Sequence, residues 1–247
     1  MDGPLDESIH FSLAASTDGF VSDVQQFLLG PEAEHGLLLQ SRYNIARFSP
    51  SLFARLGIPR PDTLARAVDK RLAEFLAGRI LAQAGQQALG HVPLPVQIGD
   101  DRAPVWPAGL AGSISHTRDH CACLVLPARG GHPGVDIESI ASGPGLETIL
   151  KFTMNPAEAA LLTGCPDFAT AATLCFSAKE TLFKALYPVV GRFFGFECAE
   201  LHDMPGPDRI RLTLTETLHA DLPAGIFFDI DCRRLPTHVV TWLVRRH

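Results

Sequence analysis

From Asp62 to Leu89, apolar side chains recur at Leu64, Val68, Leu72, Phe75, Leu76, Ile80 and Ala84. This spacing of three and four predicts a long amphipathic helix, begun by Pro61-Asp62-Thr63 and stopped by Gly90. The stretch from Phe168 to Leu186 repeats the helical pattern. Tyr187-Pro188 is its expected stop, because a proline within a helix lacks the N–H and crowds the preceding turn. The later half of Gly112–Pro127 reads as a buried strand, and Gly134–Ile140 ("GVDIESI") as a second, after a turn at Gly130-Gly131-His132-Pro133. Near the C-terminus, Ile210, Leu212 and Leu214, then Phe228 and Ile230, then Val239, Val240, Trp242 and Val244 predict antiparallel strands. Turns are expected there at Pro223-Ala224-Gly225 and Leu235-Pro236. A loop is expected from His91 to Gly109 and helical pieces between Gly143 and Asp167. The first sixty residues, broken by Gly30-Pro31, Ser49-Pro50 and Ile58-Pro59-Arg60-Pro61, fit strands and turns without one dominant pattern. The fold class is α+β, with no period indicating repeats.

At 247 residues and 46% apolar content, the chain can bury one large core or two small ones. Its net charge of −6 argues against a nucleic-acid or anionic-membrane binder, so any polyanion must meet a local basic cluster. No stretch approaches the roughly 20 apolar residues that span a bilayer. The start carries Asp2, Asp6 and Glu7 and lacks a basic-then-apolar leader pattern, so a cytoplasmic location is expected. The six cysteines include no CxxC pair and are read as reduced core residues. The Cys121-x-Cys123 pair could also serve a metal, though small buried strand residues are the commoner case.

Four segments carry candidate chemistry. In "GVDIE", Asp136 and Glu138 leave one face of a strand roughly 6–7 Å apart, opposite Val135 and Ile137. Such a pair suits a cation; the same pattern also fits an ordinary acidic solvent face. In "FSAKETLFKAL", Phe176, Phe183 and Leu186 can pack inward while Glu180 and Lys184, four apart, share another helical face. That pair is either a surface salt bridge or part of a site. Magnesium is usually held by one or two carboxylates plus phosphate oxygens, so Asp136, Glu138 and Glu180 would suffice beside a pyrophosphate. "GSISH" ends in Ser115-His116, a polar pair able to donate to phosphate. On the long helix, Arg71 and Arg79 lie two turns plus about 80° apart and share a face only loosely.

In this order and spacing, "GSISH", "GVDIE" and "FSAKETLFKALYP" resemble the 4′-phosphopantetheinyl transferases. The upstream "KRLAEFLAGR" and "DRAPVWPAGLAGSISH" are most similar to the enterobactin-synthetase-component-D subgroup, serving siderophore and nonribosomal peptide synthesis. The resemblance covers roughly residues 60 to 200. It implies a fold of two similar α/β halves with pseudo-twofold symmetry, here residues 1–128 and 129–247, and coenzyme A in the cleft between them. It implies a magnesium-dependent holo-[carrier protein] synthase, with Mg2+ held by Asp136, Glu138, Glu180 and the Ile137 carbonyl. Glu180 would act as base, so that the carrier serine attacks the β-phosphate and expels adenosine 3′,5′-bisphosphate. Lys184 would stabilise the leaving phosphate and Lys179 the pocket. Arg71, Arg79, Arg102, Ser115 and His116 would meet the nucleotide end and 3′-phosphate. Phe176 stands where many relatives carry Trp, and the packing role is expected to survive.

The implied partners are apo acyl or peptidyl carrier domains, of fatty-acid, polyketide or nonribosomal peptide type, with the chain itself a monomer. Carrier domains are typically acidic around their serine, so Lys151, Arg192 and Arg233-Arg234 are candidates for docking. A binding module that has lost the reaction is disfavoured by the intact Asp136, Glu138, Glu180 and Lys184 set. An ATP-dependent phosphotransferase is disfavoured because neither GxxxxGK[ST] nor GxGxxG occurs.

Overall fold

The computed structural model describes residues 15–30, 36–99 and 102–246. The Gly30-Pro31 turn falls partly, and the acidic start wholly, outside them. The described chain forms two compact units, one up to Pro133 (joined by Arg246) and one from Gly134 to Arg245.

In the first unit, β1 (Val21–Leu29), β2 (Gly36–Tyr43), β5 (Leu110–His116) and β6 (His120–Pro127) make an antiparallel sheet in the order β1-β2-β6-β5. A short helix, α1 (Ser51–Arg55), precedes the long α2 (Asp69–Ala88). α2 packs Leu72, Leu76, Ile80 and Leu81 with Leu37, Leu39, Cys121, Cys123 and Val125 of the sheet. The helix expected from Asp62 begins seven residues later. Asp62–Leu64 is a separate 3-10 turn, and Val68 precedes α2 in extended backbone without a side-chain cap. The stop is where the sequence put it, with Gly90 in a left-handed conformation after the last turn. The expected loop between His91 and Gly109 contains a small hairpin, β3 (Gln97–Ile98) and β4 (Pro104–Val105).

The second unit is a five-stranded sheet crossed by one helix. Its strands are β7 (His132–Ser139), β8 (Ala199–Leu201), β9 (Arg209–Leu214), β10 (Phe227–Arg234) and β11 (His238–Arg245), in the order β7-β11-β10-β9-β8. Two helices, α3 (Gly143–Thr153) and α4 (Pro156–Leu162), lead to α5 (Phe168–Val190). Asp167 caps α5 by accepting from Thr170 N–H. Its core joins Leu174, Cys175, Ala178, Leu182 and Leu186 to Ile210, Leu212, Ile230 and Val239. Contrary to the expected stop at Tyr187-Pro188, α5 runs through Pro188 to Val190. In the last turn a proline forfeits a single backbone bond, and left-handed Gly191 then closes the helix by donating to the Tyr187 carbonyl.

All six cysteines are free thiols, and burial pushes the Cys121 thiol up to about 12. A neutral thiol packed under α2 is core, which agrees with the reading of this pair as strand filling.

Gly134 sets how closely β7 approaches α5. A Cβ there would stand 2.1 Å from the Thr181 carbonyl oxygen and 3.0 Å from the Ala185 nitrogen, both backbone atoms. Only a glycine lets strand and helix meet at this distance. Gly134→Ala is expected to lower the unfolding free energy by at least about 2 kcal/mol in chemical denaturation, since strand or helix must shift. A loss under about 0.5 kcal/mol would show that the approach is not tight.

Candidate active site

Asp136 sits in the middle of β7 and is 2% exposed, so the acidic pair is not a solvent face. Two residues on from Gly134, it lies on the same side of the strand and meets α5. Lys184 Nζ donates to Asp136 Oδ1 at 2.7 Å and to the Val135 carbonyl at 3.1 Å, while Ser177 Oγ donates to Asp136 Oδ2 at 2.8 Å. Lys184 thus pairs with the strand carboxylate and not with Glu180 one turn back on its own helix.

Glu138 and Glu180 are both half-buried. Burial, then the charge of Asp136, and more weakly Glu180, push the Glu138 carboxyl up to about 8 against the opposing pull of Lys184. Glu180 is raised as well, by burial and by Asp136, with Lys184 again opposing. The structure therefore brings Asp136, Glu138, Glu180 and Lys184 into one electrostatic cluster, three carboxyls against one ammonium. A hard divalent cation fits this donor set, since oxygen ligands suit it and its charge would relieve the excess. Among the described residues, no three His, Cys, Asp or Glu side chains converge as a ready ligand cage. One or two carboxylates suffice for magnesium beside a phosphate ligand.

Phe183 packs partly buried against the core of the second unit, as expected, and Phe176 is half-buried against Phe196. They flank Glu180 at four residues before and three after, on one half-buried stripe of α5 that continues to Tyr187. Phe176 lies 5.8 Å from Phe196, and Phe183 4.9 Å from Phe194 and 5.5 Å from Tyr187. The missed signal is the spacing 176, 180, 183, 187, which sets Glu180 on the same face of α5 as Phe176, Phe183 and Tyr187.

Lys179 is not brought to the carboxylate cluster. Its buried ammonium lies 2.8 Å from Glu158 and donates to the Thr153 and Phe196 carbonyls. Glu158 also accepts from Asn155 and Leu201 N–H, so this ion pair ties the α3–α4 junction to α5 and the edge of the sheet. A charge this deeply buried requires such a partner.

In the first unit, Arg71 and His116 meet, with Arg71 NH1 3.1 Å from His116 Nε2, and Glu74 beside both. Ser115 faces the opposite side of β5, as neighbours on a strand do. Arg79 is buried, stacks on Phe75 at 4.4 Å and donates to the Val96 and Gln97 carbonyls. Burial pulls its guanidinium down to about 10, still charged at neutral pH. It lines a cavity of about 320 Å³ with Phe75, Gln83, Val96 and Ile98. Arg102 is exposed, with a left-handed backbone at φ 69°. Of the basic docking candidates, Lys151 and Arg192 are exposed, Arg233 is half-buried, and Arg234 donates to the Gly206 and Pro207 carbonyls.

Comparisons with known proteins follow the same division. Residues 60–126 match the 4′-phosphopantetheinyl transferase N-terminal domain, and residues 133–227 match the 4′-phosphopantetheinyl transferase superfamily domain. The chain is 40% identical over 147 residues to the enterobactin synthase component D of Shigella flexneri, covering 58% of this chain and 69% of the relative. It is 35% identical over 185 residues to that of Salmonella typhi, covering 73% and 72%. The 4′-phosphopantetheinyl transferase Svp of Streptomyces mobaraensis is 38% identical over 143 residues, covering 56% and 57%.

The raised Glu138 carboxyl has a sign that can be tested. Its folded value lies above the unfolded one of 4.5, so the folded state holds the extra proton and stability falls as pH rises from about 4.5 to about 8. In EDTA, Glu138→Gln is therefore expected to be more stable than the parent at pH 8, on the order of 1–3 kcal/mol, and to lose that advantage near pH 4.5. Denaturation curves at the two pH values check this. A pH-independent difference would mean that Glu138 is not held in a crowded acidic cluster.

Proposed function

This chain belongs to the 4′-phosphopantetheinyl transferase superfamily and transfers the 4′-phosphopantetheine arm of coenzyme A to carrier proteins, and we propose that it does so with the carboxylate cluster of its second unit around magnesium. The single observation that carries this reading is the meeting of Asp136 and Lys184 beside two carboxyls held above their usual range. Asp136, Glu138 and Glu180, with the Ile137 carbonyl, would hold the ion. When bound, Mg2+ supplies charge neutralisation at the pyrophosphate of coenzyme A.

The protein side chains do the rest. Glu180 takes the proton of the carrier serine hydroxyl as general base. The serine oxygen forms a bond to the β-phosphorus, and the bond to the bridging oxygen breaks, releasing adenosine 3′,5′-bisphosphate. Lys184, half-buried and hydrogen-bonded within this cluster, offsets negative charge on the leaving phosphate. Phe176 and Phe183 exclude water on either side of Glu180.

For the nucleotide end of coenzyme A, Arg71, His116 and Arg102 offer exposed or half-exposed donors, with Ser115 as a further one on the other face of its strand. Arg79 contributes from the wall of its cavity while holding two backbone carbonyls. Lys179 acts at a distance by fixing the helices before α5. The partners are apo carrier domains, with peptidyl carriers of siderophore or nonribosomal peptide assembly favoured by the relatives' names, and acyl carriers as the alternative. Lys151 and Arg192 would meet their acidic surface. The protein works as a monomer in the cytoplasm; no described helix is long and apolar enough to cross a membrane.

Incubation of apo peptidyl and apo acyl carrier with coenzyme A and Mg2+ is expected to add one phosphopantetheine per carrier by intact mass. EDTA or Asp136→Asn is expected to reduce the rate by about 100-fold or more. Undiminished transfer in EDTA would remove the metal from the reaction. Arg71→Ala and Arg79→Ala are each expected to raise KM for coenzyme A about tenfold, and less for 3′-dephospho-coenzyme A. Only Arg79→Ala should also lower Tm, because the buried Val96 carbonyl loses its donor. Equal KM effects on both coenzymes would free Arg71 and Arg79 of the 3′-phosphate.

A further inference from the structure

Three hydroxyls lie behind Asp136, at positions where packing alone would favour apolar residues. Ser177 and Thr181 on α5 and Thr241 on β11 are all 0% exposed, among neighbours such as Leu174, Ala178, Leu182, Val239 and Val240. An unsatisfied hydroxyl in such a place costs about 1–3 kcal/mol, so each proton needs a destination. The distances join them in a row: Thr181 Oγ1 to Thr241 Oγ1 at 2.6 Å, Thr241 Oγ1 to Ser177 Oγ at 2.9 Å, and Ser177 Oγ to Asp136 Oδ2 at 2.8 Å.

Proton counting orients the row. A carboxylate only accepts, so the single Ser177 proton goes to Asp136. Thr241 must then be the donor towards Ser177, sharing its proton between Ser177 Oγ and the Ser177 carbonyl at 3.0 Å. Its own proton spent, Thr241 accepts from Thr181, whose hydroxyl also reaches the Thr241 carbonyl at 3.2 Å. Every bond thus points the same way, Thr181 to Thr241 to Ser177 to Asp136, and ends on Oδ2. Aligned hydroxyls polarise one another, which strengthens the last bond.

We propose that Ser177, Thr241 and Thr181 are positioning residues: they lock the Asp136 carboxylate by Oδ2 so that Oδ1 is presented on the Lys184 side for the cation. This rests on the magnesium reading above and adds to it which residues set the ligand's orientation. Without the row, the carboxylate would lose its Oδ2 donor and rest more on Lys184, a flexible partner that itself serves the reaction. A rotated carboxylate would lose affinity for the ion.

Thr241 allows hydroxyl and shape to be separated. Thr241→Val keeps the branched shape and removes the hydroxyl; Thr241→Ser keeps the hydroxyl and removes a methyl. Mn2+ serves as probe, its Kd measured by electron paramagnetic resonance on the full chain with coenzyme A present, alongside Tm and the Mg2+ dependence of transfer. Thr241→Val is expected to weaken Mn2+ by about 10-fold or more, as outer-shell partners of metal ligands do. Its transfer rate should recover towards the parent's at saturating Mg2+. Thr241→Ser should stay within about twofold of the parent in Mn2+ affinity while losing Tm. Ser177→Ala, which cuts the row at its last bond, should weaken Mn2+ at least as much as Thr241→Val. Parent-like Mn2+ affinity in both Thr241→Val and Ser177→Ala, or affinities that track Tm across the set, would overturn the positioning role and leave the metal reading intact. A parent protein that binds no Mn2+ would overturn both.

Discussion

A carboxylate with 2% of its residue surface exposed must find donors inside the protein, and in the second unit Asp136 finds them on one helix, at Ser177 and Lys184. Those two lie seven apart on α5, which places them one above the other along a single face. The carboxylate can bridge them only if β7 passes close to the helix, and Gly134 removes the side chain that would hold it off. Strand, helix and charge are therefore mutually dependent: the close approach makes the pairing geometry, and the pairing makes the burial tolerable.

The same burial has an electrostatic cost that is not fully met within the protein. One Lys184 stands against three carboxyls, and the imbalance appears in Glu138 and Glu180, both held above the usual carboxylate range. Structural ion pairs do not look like this. The Lys179–Glu158 pair, more deeply buried, is matched one to one and surrounded by backbone donors and acceptors. The contrast on a single helix, with Lys179 and Glu180 adjacent in sequence, separates a pair that holds the fold together from a cluster left with negative charge for a cation and a phosphate to offset.

Much of this was legible from periodicity and motif spacing. The two long helices, the strand at His120–Pro127 and that from Gly134 onward, and the C-terminal strands follow from patterns that a buried face imposes; the separate strand at Leu110–His116 does not. Helix ends were less so: the true start of α2 lacks a capping side chain, and Pro188 is tolerated because it falls in a last turn that Gly191 closes. Asp136, Glu138, Glu180 and Lys184 were found by motif, yet the sequence alone left an acidic solvent face and a surface salt bridge open, because burial depends on partners far along the chain. Thr241 shows the limit most clearly. It lies 105 residues from Asp136, in a strand that reads as apolar filling, and only the register of β11 beside α5 reveals that its hydroxyl has a destination.

The central claim, that the Asp136 cluster is the cation site of the transfer reaction, is tested most directly by anomalous diffraction from crystals of the protein grown with coenzyme A and Mn2+. A single strong peak at ligand distance from an Asp136 carboxylate oxygen and from the coenzyme A pyrophosphate, with Lys184 drawn off Oδ1 towards a phosphate, is the expected result. A peak elsewhere, or coenzyme A bound with Lys184 still on Asp136 and no ion beside it, would contradict the account.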